Sequence, residues 1–346
     1  MLLFSTLNLN GTHMKKESAV LVVGGAGYIG SHTVRQLVAD GRRVVVLDNL
    51  VYGHADALVD DAVIFVEGDL GDREVLDRVF TEHAISAVMH FAAYAYVGES
   101  VTDPAKYYGN NLAAPIVLLD AMRDYGVEIF IFSSTCATYG NPQYVPIDEE
   151  HPQHPINPYG ASKLMLERVL ADYSHAYGLK YAALRYFNAA GCSLDGLIGE
   201  DHTPETHLIP LVLETAAGIR DHITVFGTDY PTPDGTCIRD YIHVNDLARA
   251  HILAVDKLEQ GGESFKCNLG TGIGHSVKEL IAAAEQVTGR SIKVVFGARR
   301  EGDPPELVAA PALAKSLLGW EAEYKDLSMI LKTAWAWIDG PRKGRY

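Results

Sequence analysis

Along the first half of the chain, short β-branched apolar runs alternate with longer segments in which apolar positions recur every three or four residues. The runs predict strands at 19–23, 44–47, 63–66, 87–90, 128–132 and 181–185, and the periodic segments predict helices at 28–40, 72–82, 104–125 and 159–177. Strands alternating with helices predict an α/β fold, a doubly wound parallel sheet covered on both faces. Near Asn188 the alternation stops. The segments His207-Leu208-Ile209-Pro210 and Tyr230-Pro231-Thr232-Pro233-Asp234-Gly235 read as loops and short elements of a smaller mixed α/β lobe. The expected division is therefore residues 19–187 and 188–346, with the segment near 239–257 packing back on the first domain. Residues 1–18 are expected to form a disordered tail: the fold signal starts only at Ala19, and Met1 to His13 precede a second methionine, Met14, as an upstream start would.

Composition narrows the function. Apolar residues make up 48% of the 346, enough for a large core. With 29 basic against 44 acidic side chains, the net charge of −15 argues against nucleic acid or an anionic membrane as partner, so a phosphate-bearing ligand needs a local binding arrangement. Cys136, Cys192, Cys237 and Cys267 form no CxxC, which supports neither a disulfide framework nor a cysteine zinc site, and no metal is expected. A reducing cytoplasm is the expected compartment. No apolar run is long enough to span a membrane, and no secretion signal stands at the start.

Directly after the first strand comes Gly24-Gly25-Ala26-Gly27-Tyr28-Ile29-Gly30, a turn that brings backbone amides up to a pyrophosphate at a helix N-terminus. Glycine-rich turns can be merely structural, but the second strand ends in Asp48, where a carboxylate can accept hydrogen bonds from the adenosine ribose. That carboxylate favours NAD over NADP and makes residues 19–187 a Rossmann-type NAD-binding domain. Asp69-Leu70 could meet the adenine or cap the helix from Asp72, and the sequence leaves both open.

Tyr159 and Lys163 in Tyr159-Gly160-Ala161-Ser162-Lys163 lie one helical turn apart, and of the 18 tyrosines only Tyr159 has lysine four residues on. A phenol is a poor base at neutral pH; a nearby ammonium and a cationic nicotinamide would both favour its phenolate. Without the glycine loop the pair would read as a surface contact. Thr135 leaves the fifth strand at the sheet edge where such folds bind ligands, placed to pass a proton toward Tyr159.

These residues resemble the extended short-chain dehydrogenase/reductase family, in particular its UDP-glucose 4-epimerase branch, from about Ala19 onward. The matching stretches are GGAGYIGSH, LDNL, HFAAYAYVGES, FSSTCATYG, PYGASK, LRYFNAAG, FGTDYPTPDGTCIRDYIHV and ARREGDP; the seventh is the most specific. The resemblance implies that Thr135, Tyr159 and Lys163 are catalytic, that Lys163 also holds the nicotinamide ribose, and that Gly24, Gly27, Tyr28, Ile29, Gly30, Asp48, Asn49, Asp69, Leu70, Phe91, Ala92, Ala93, Asn110, Ser133 and Tyr186 surround NAD. It implies that Asn188, His207, Leu208, Thr224, Phe226, Arg239, Tyr241, Arg300, Asp303 and Leu307 join Thr135 and Tyr159 around a UDP-hexose. Two arginines suit a diphosphate in an acidic protein.

The chain departs from its relatives at Ala95, where some carry lysine, and at His207, where some carry asparagine. Leu307 stands where hexose-restricted relatives carry a bulky aromatic residue, and its smaller side chain would admit an N-acetyl group. The implied reaction takes the proton of the carbon 4 hydroxyl to Tyr159 and the hydride of carbon 4 to NAD, lets the 4-keto sugar turn over, and returns the hydride to its other face. Its rivals are epimerases of UDP-N-acetylglucosamine or UDP-pentoses, a 4,6-dehydratase, disfavoured because Cys136-Ala137 replace the Asp-Glu that such relatives carry after the catalytic Thr, and a non-catalytic NAD-sensing protein. A homodimer through the helices at 104–125 and 159–177 is also implied.

Overall fold

The computed structural model describes residues 18–300 and 302–346; nearly all of the expected tail lies outside the described residues. The first part of the chain runs β1 (Ala19–Val23), α1 (Tyr28–Ala39), β2 (Arg43–Asp48), β3 (Ile64–Glu67), α2 (Arg73–Glu82), β4 (Ile85–His90), α3 (Val97–Thr102) and α4 (Pro104–Tyr108). A π-turn at Gly109–Ala113 leads into α5 (Ala114–Asp124), then β5 (Ile129–Thr135), α6 (Pro158–Tyr177) and β6 (Lys180–Tyr186). The helix expected to be continuous over 104–125 is thus interrupted, and the interruption swings Asn110 to the cavity described below.

The later chain forms β7 (Asn188–Ala190), α7 (Leu208–Ala216), β8 (Ile223–Phe226), β9 (Ile238–His243), α8 (Val244–Glu259), β10 (Phe265–Leu269) and β11 (Gly274–Ser276). It ends with α9 (Val277–Thr288), β12 (Val294–Gly297), β13 (Glu306–Leu307), α10 (Ala312–Leu318) and α11 (Leu327–Ile338). The reading of this half as loops and short elements is corrected by α7, α8, α9 and α11, of 9, 16, 12 and 12 residues. In α7, Leu208-Ile209-Pro210-Leu211-Val212-Leu213 is apolar at six successive positions, so no helical period shows.

Seven parallel strands form the main sheet in the order β10-β6-β5-β4-β1-β2-β3. Alternate residues serve two cores, as expected of strands buried on both faces. Val20, Val22, Val44, Val46 and Met89 pack with α1 and α8, while Leu21, Val23, Val45, Leu47 and Val88 pack with α2, α5 and α6. Helix α8 thus covers the sheet although it lies late in sequence, and β10 extends the sheet by a strand that the pattern does not reveal. A third core joins α7, α9 and α11 around Leu213, Leu280, Leu331 and Trp337. Among the described residues no helix is long and apolar enough to cross a membrane, and all four cysteines are buried and free.

The chain leaves β1 toward β2 on one side and returns to β4 on the other, so the sheet changes winding direction between β1 and β4. Loops diverge at such a point and leave a crevice at the carboxyl ends of the strands.

Candidate active site

A cavity of about 950 Å³ opens at this crevice and reaches into the second lobe. At its sheet end, Gly24 has φ +79° and passes so close to the β4 edge that a Cβ would overlap Ala92 N. The Phe91 and Ala92 amides both donate to Val23 O, at 2.8 and 3.1 Å, which locks the two strand ends together. At Gly30 a Cβ would overlap Gly24 O, so α1 can pack onto the turn only with glycine there. Gly27 differs: the nearest atom to its would-be Cβ is 3.4 Å away, and it caps α1 with no side chain. The unsatisfied amides of the first helical turn therefore stand at a cavity wall without a covering Cβ, which fits a pyrophosphate. Gly30→Ala is expected to abolish dinucleotide retention through gel filtration and to lower stability by about 1–3 kcal/mol through overpacking; an unchanged absorbance ratio of cofactor to protein would contradict this.

Asp48 does more than its motif implies. Its Oδ2 accepts the Ala26 amide at 3.0 Å and its Oδ1 the Leu50 amide at 2.9 Å, so the carboxylate anchors the glycine turn while lining the cavity. Tyr28 donates its hydroxyl to Gly191 O, tying this turn to the second lobe.

At mid-cavity, α6 begins at Pro158 with Asn157 accepting the Gly160 amide at 2.8 Å. A Cβ on Gly160 would overlap Ala137 O, so this glycine lets the helix start against the turn after β5. The result brings Thr135 and Tyr159 to the same stretch of the cavity wall, near enough for the Thr135 hydroxyl to favour the phenolate. Lys163 Nζ, one turn on, donates to Ser133 O at 2.9 Å. Burial raises the Tyr159 phenol far above its usual value, the Tyr186 hydroxyl adds to the rise, and Thr135 opposes it. Burial likewise pushes Lys163 down to about 7. Burial thus governs the phenol in the chain alone, and Lys163 is not among the groups that shift it; the expected acidity invokes the ammonium together with a cationic nicotinamide.

Farther out, Arg300 lies over the Phe226 ring at 4.1 Å, an apolar face with a cation behind it. Arg239 is half of an ion pair with Asp303 at 2.7 Å and also donates to Ile238 O and Pro304 O, both at 2.9 Å. Its guanidinium is thus fixed in orientation at the cavity wall. Asn188, Leu208, Thr224, Tyr241 and Leu307 line the same wall, and Leu307 packs beside Cys136.

Of the residues singled out in the sequence, Asp69 and Ser133 are not brought to the cavity lining. Asp69 accepts the Gly71 amide at 2.7 Å and the Asn49 side chain at 2.8 Å, and Asp72, not Asp69, caps α2. The Ser133 hydroxyl bonds Tyr186 and His251, and only its carbonyl serves Lys163. Tyr52, Glu200, His202, Arg220 and Cys237 line the cavity without having been singled out. Tyr52 and Glu200 stand in loops that no residue spacing marks.

The model of the NAD dependent epimerase/dehydratase family matches residues 20–270. The chain belongs to this family. It is 53% identical over 329 residues to a UDP-glucose 4-epimerase of Rhizobium meliloti, covering 95% of this chain and 99% of that protein. Among solved structures it superposes on a UDP-glucose 4-epimerase from Brucella ovis in complex with NAD, with a TM-score of 0.89 and 55% identity over 92% of this chain and 97% of that one. The UDP-Glc/GlcNAc 4-epimerase of Campylobacter jejuni matches at 45% identity and a TM-score of 0.82, over 93% of this chain and 99% of that one.

Proposed function

We propose that the chain is an NAD-dependent isomerase that interconverts UDP-galactose and UDP-glucose through a 4-keto intermediate. The observation that carries this is one cavity holding a bare helix N-terminus at one end, the Thr135–Tyr159 pair at its middle, and the Phe226, Arg300 and Arg239 wall at the other. In this reading residues 19–187 hold the cofactor and 188–346 the UDP-sugar. Bound NAD supplies a hydride acceptor and a positive charge that offsets the burial of the phenol. Tyr159 takes the proton from the carbon 4 hydroxyl with Thr135 bridging, and Lys163 holds the nicotinamide ribose from its anchor on Ser133. Arg300 and Phe226 bind the nucleotide half, and Arg239 faces the diphosphate. With binding concentrated on UDP, the keto sugar is free to present its other face before reduction, and Tyr159 returns the proton.

The reading is tested by denaturing the purified protein, assaying released nicotinamide cofactor, and giving the native protein UDP-galactose with no cofactor added. About one NAD per chain and UDP-glucose as product are expected; product formed by protein that releases no NAD would overturn the cofactor assignment. Leu307 lines the cavity, and on this reading its side chain, smaller than an aromatic one, stands beside the sugar, so N-acetylated substrates are also expected to turn over. Leu307→Tyr should cut kcat/KM for UDP-N-acetylgalactosamine at least about tenfold and spare UDP-galactose, since the phenol would fill the space the N-acetyl group needs, and a clash of about 1.4 kcal/mol is tenfold in rate. A homodimer and a cytoplasmic location fit this reading, and sedimentation tests the first.

A further inference from the structure

The loop before α7 reads Glu200-Asp201-His202-Thr203-Pro204-Glu205-Thr206-His207. One ligating atom from each of Glu200, His202, Glu205 and His207 lies within 4.8 Å of the other three. His202 Nδ1 stands 3.2 Å from Glu200 Oε1 and 3.6 Å from Glu205 Oε2, and His207 Nδ1 stands 3.5 Å from Glu205 Oε1. Four donors about 2.1 Å from a central zinc ion would be about 3.4 Å apart; the three distances above are close to that, whereas His207 Nδ1 and Glu200 Oε1 stand 2.5 Å apart in a direct hydrogen bond that an ion would have to replace.

The simpler description is a cluster of two protonated histidines paired with two carboxylates. One atom does not fit it. His202 Nδ1 is sealed from solvent yet makes no hydrogen bond, although two carboxylate oxygens are near enough. Glu205 is fixed by the backbone: its Oε1 accepts the Thr206 and His207 amides at 2.6 and 2.7 Å, which presents Oε2 to the cluster. Both carboxylates are almost fully buried, 7% and 4% exposed, and among the described residues neither forms an ion pair with Lys or Arg. Their only ion-pair partners among the described residues are the two imidazoles, so a divalent cation could take the place of the imidazole protons as the counter-charge.

We propose that Glu200, His202, Glu205 and His207 bind one divalent transition-metal ion, with zinc the best match for two imidazole nitrogens and two carboxylate oxygens. The site is structural. It fixes the loop whose His202 ring lies 6.4 Å from those of Tyr28 and Tyr96, and from which His207 and Leu208 enter the cavity wall. Binding displaces the protons that the carboxylates hold on the imidazoles, so affinity should fall as pH falls.

The test uses tag-free, chelator-treated full-length protein titrated with zinc chloride in a calorimeter, with the unfolding temperature measured in parallel. One ion per chain at micromolar or lower concentration, a raised Tm, and an intense visible band when cobalt(II) replaces zinc are expected. His202→Gln should weaken binding by about 10–100-fold or more. Absence of saturable zinc binding, equal binding by His202→Gln, or a weak octahedral cobalt spectrum would each overturn the proposal. If His202→Gln does not fold, the wild-type stoichiometry and cobalt spectrum decide it.

Discussion

Tyr159→Phe is expected to lower kcat for UDP-galactose by about 10³-fold while leaving NAD content and the Kd for UDP within a factor of two, since a positioned acid–base group contributes about 10²–10⁴. The substitution removes one oxygen from a buried ring, so packing against α6 and β5 stays as it is. What it deletes is the phenol that the proposed mechanism uses as proton acceptor beside Thr135. Steady-state rates with UDP-galactose, together with calorimetric titration of UDP, separate the two effects. A phenylalanine variant with more than a tenth of the original kcat would transfer the role to another group, for which Tyr186 or Cys136 would be the candidates nearest the phenol.

Glu167→Gln is expected to destabilise the fold by about 3–5 kcal/mol, because it leaves a buried guanidinium without its counter-ion. Glu167 is fully buried and Arg185 is 3% exposed; they pair at 2.6 Å. The same carboxylate accepts the Ser134 hydroxyl at 2.7 Å and pairs with Lys266 at 3.1 Å. It therefore ties α6 to β5, β6 and β10 one turn beyond Lys163, and holds the Tyr159 face of the helix in register with Thr135. Burial alone would raise the Glu167 carboxyl, but Arg185, Lys266 and Ser134 outweigh it and the net shift is downward. A carboxyl lowered on folding contributes stability above its unfolded value that is lost as pH falls through its folded value, so acid should erode the wild-type advantage over the variant. Urea denaturation at neutral and at acid pH measures both; a loss below about 1 kcal/mol at neutral pH would show that Arg185 finds another partner.

The same cluster marks where sequence reasoning stops. β1 is apolar at every position and is followed at once by glycine, so both the strand and its turn can be read directly. β10 reads Phe-Lys-Cys-Asn-Leu, and its polar residues look like surface until Lys266 is seen against Glu167 and Asn268 against Tyr139, partners 99 and 129 positions away. Tyr159 and Lys163 were legible because a helix places residues four apart on one face. Their electrostatics were not, since burial depends on what covers the helix. Asp69 followed a local rule to the sheet end, yet the Gly71 amide and Asn49 claim its oxygens. Phe226 and Arg300 come together only through the pairing of β8 with β12, which no local period announces.

On the proposed mechanism the hydrogen that leaves carbon 4 as hydride stays on the enzyme until it returns to the same carbon. The direct test is conversion of UDP-galactose carrying deuterium at carbon 4, followed by mass and nuclear magnetic resonance analysis of the product and the solvent. The expected product is UDP-glucose that keeps all of its deuterium at carbon 4 with inverted configuration. Deuterium released to water, or product labelled at another carbon, would contradict it.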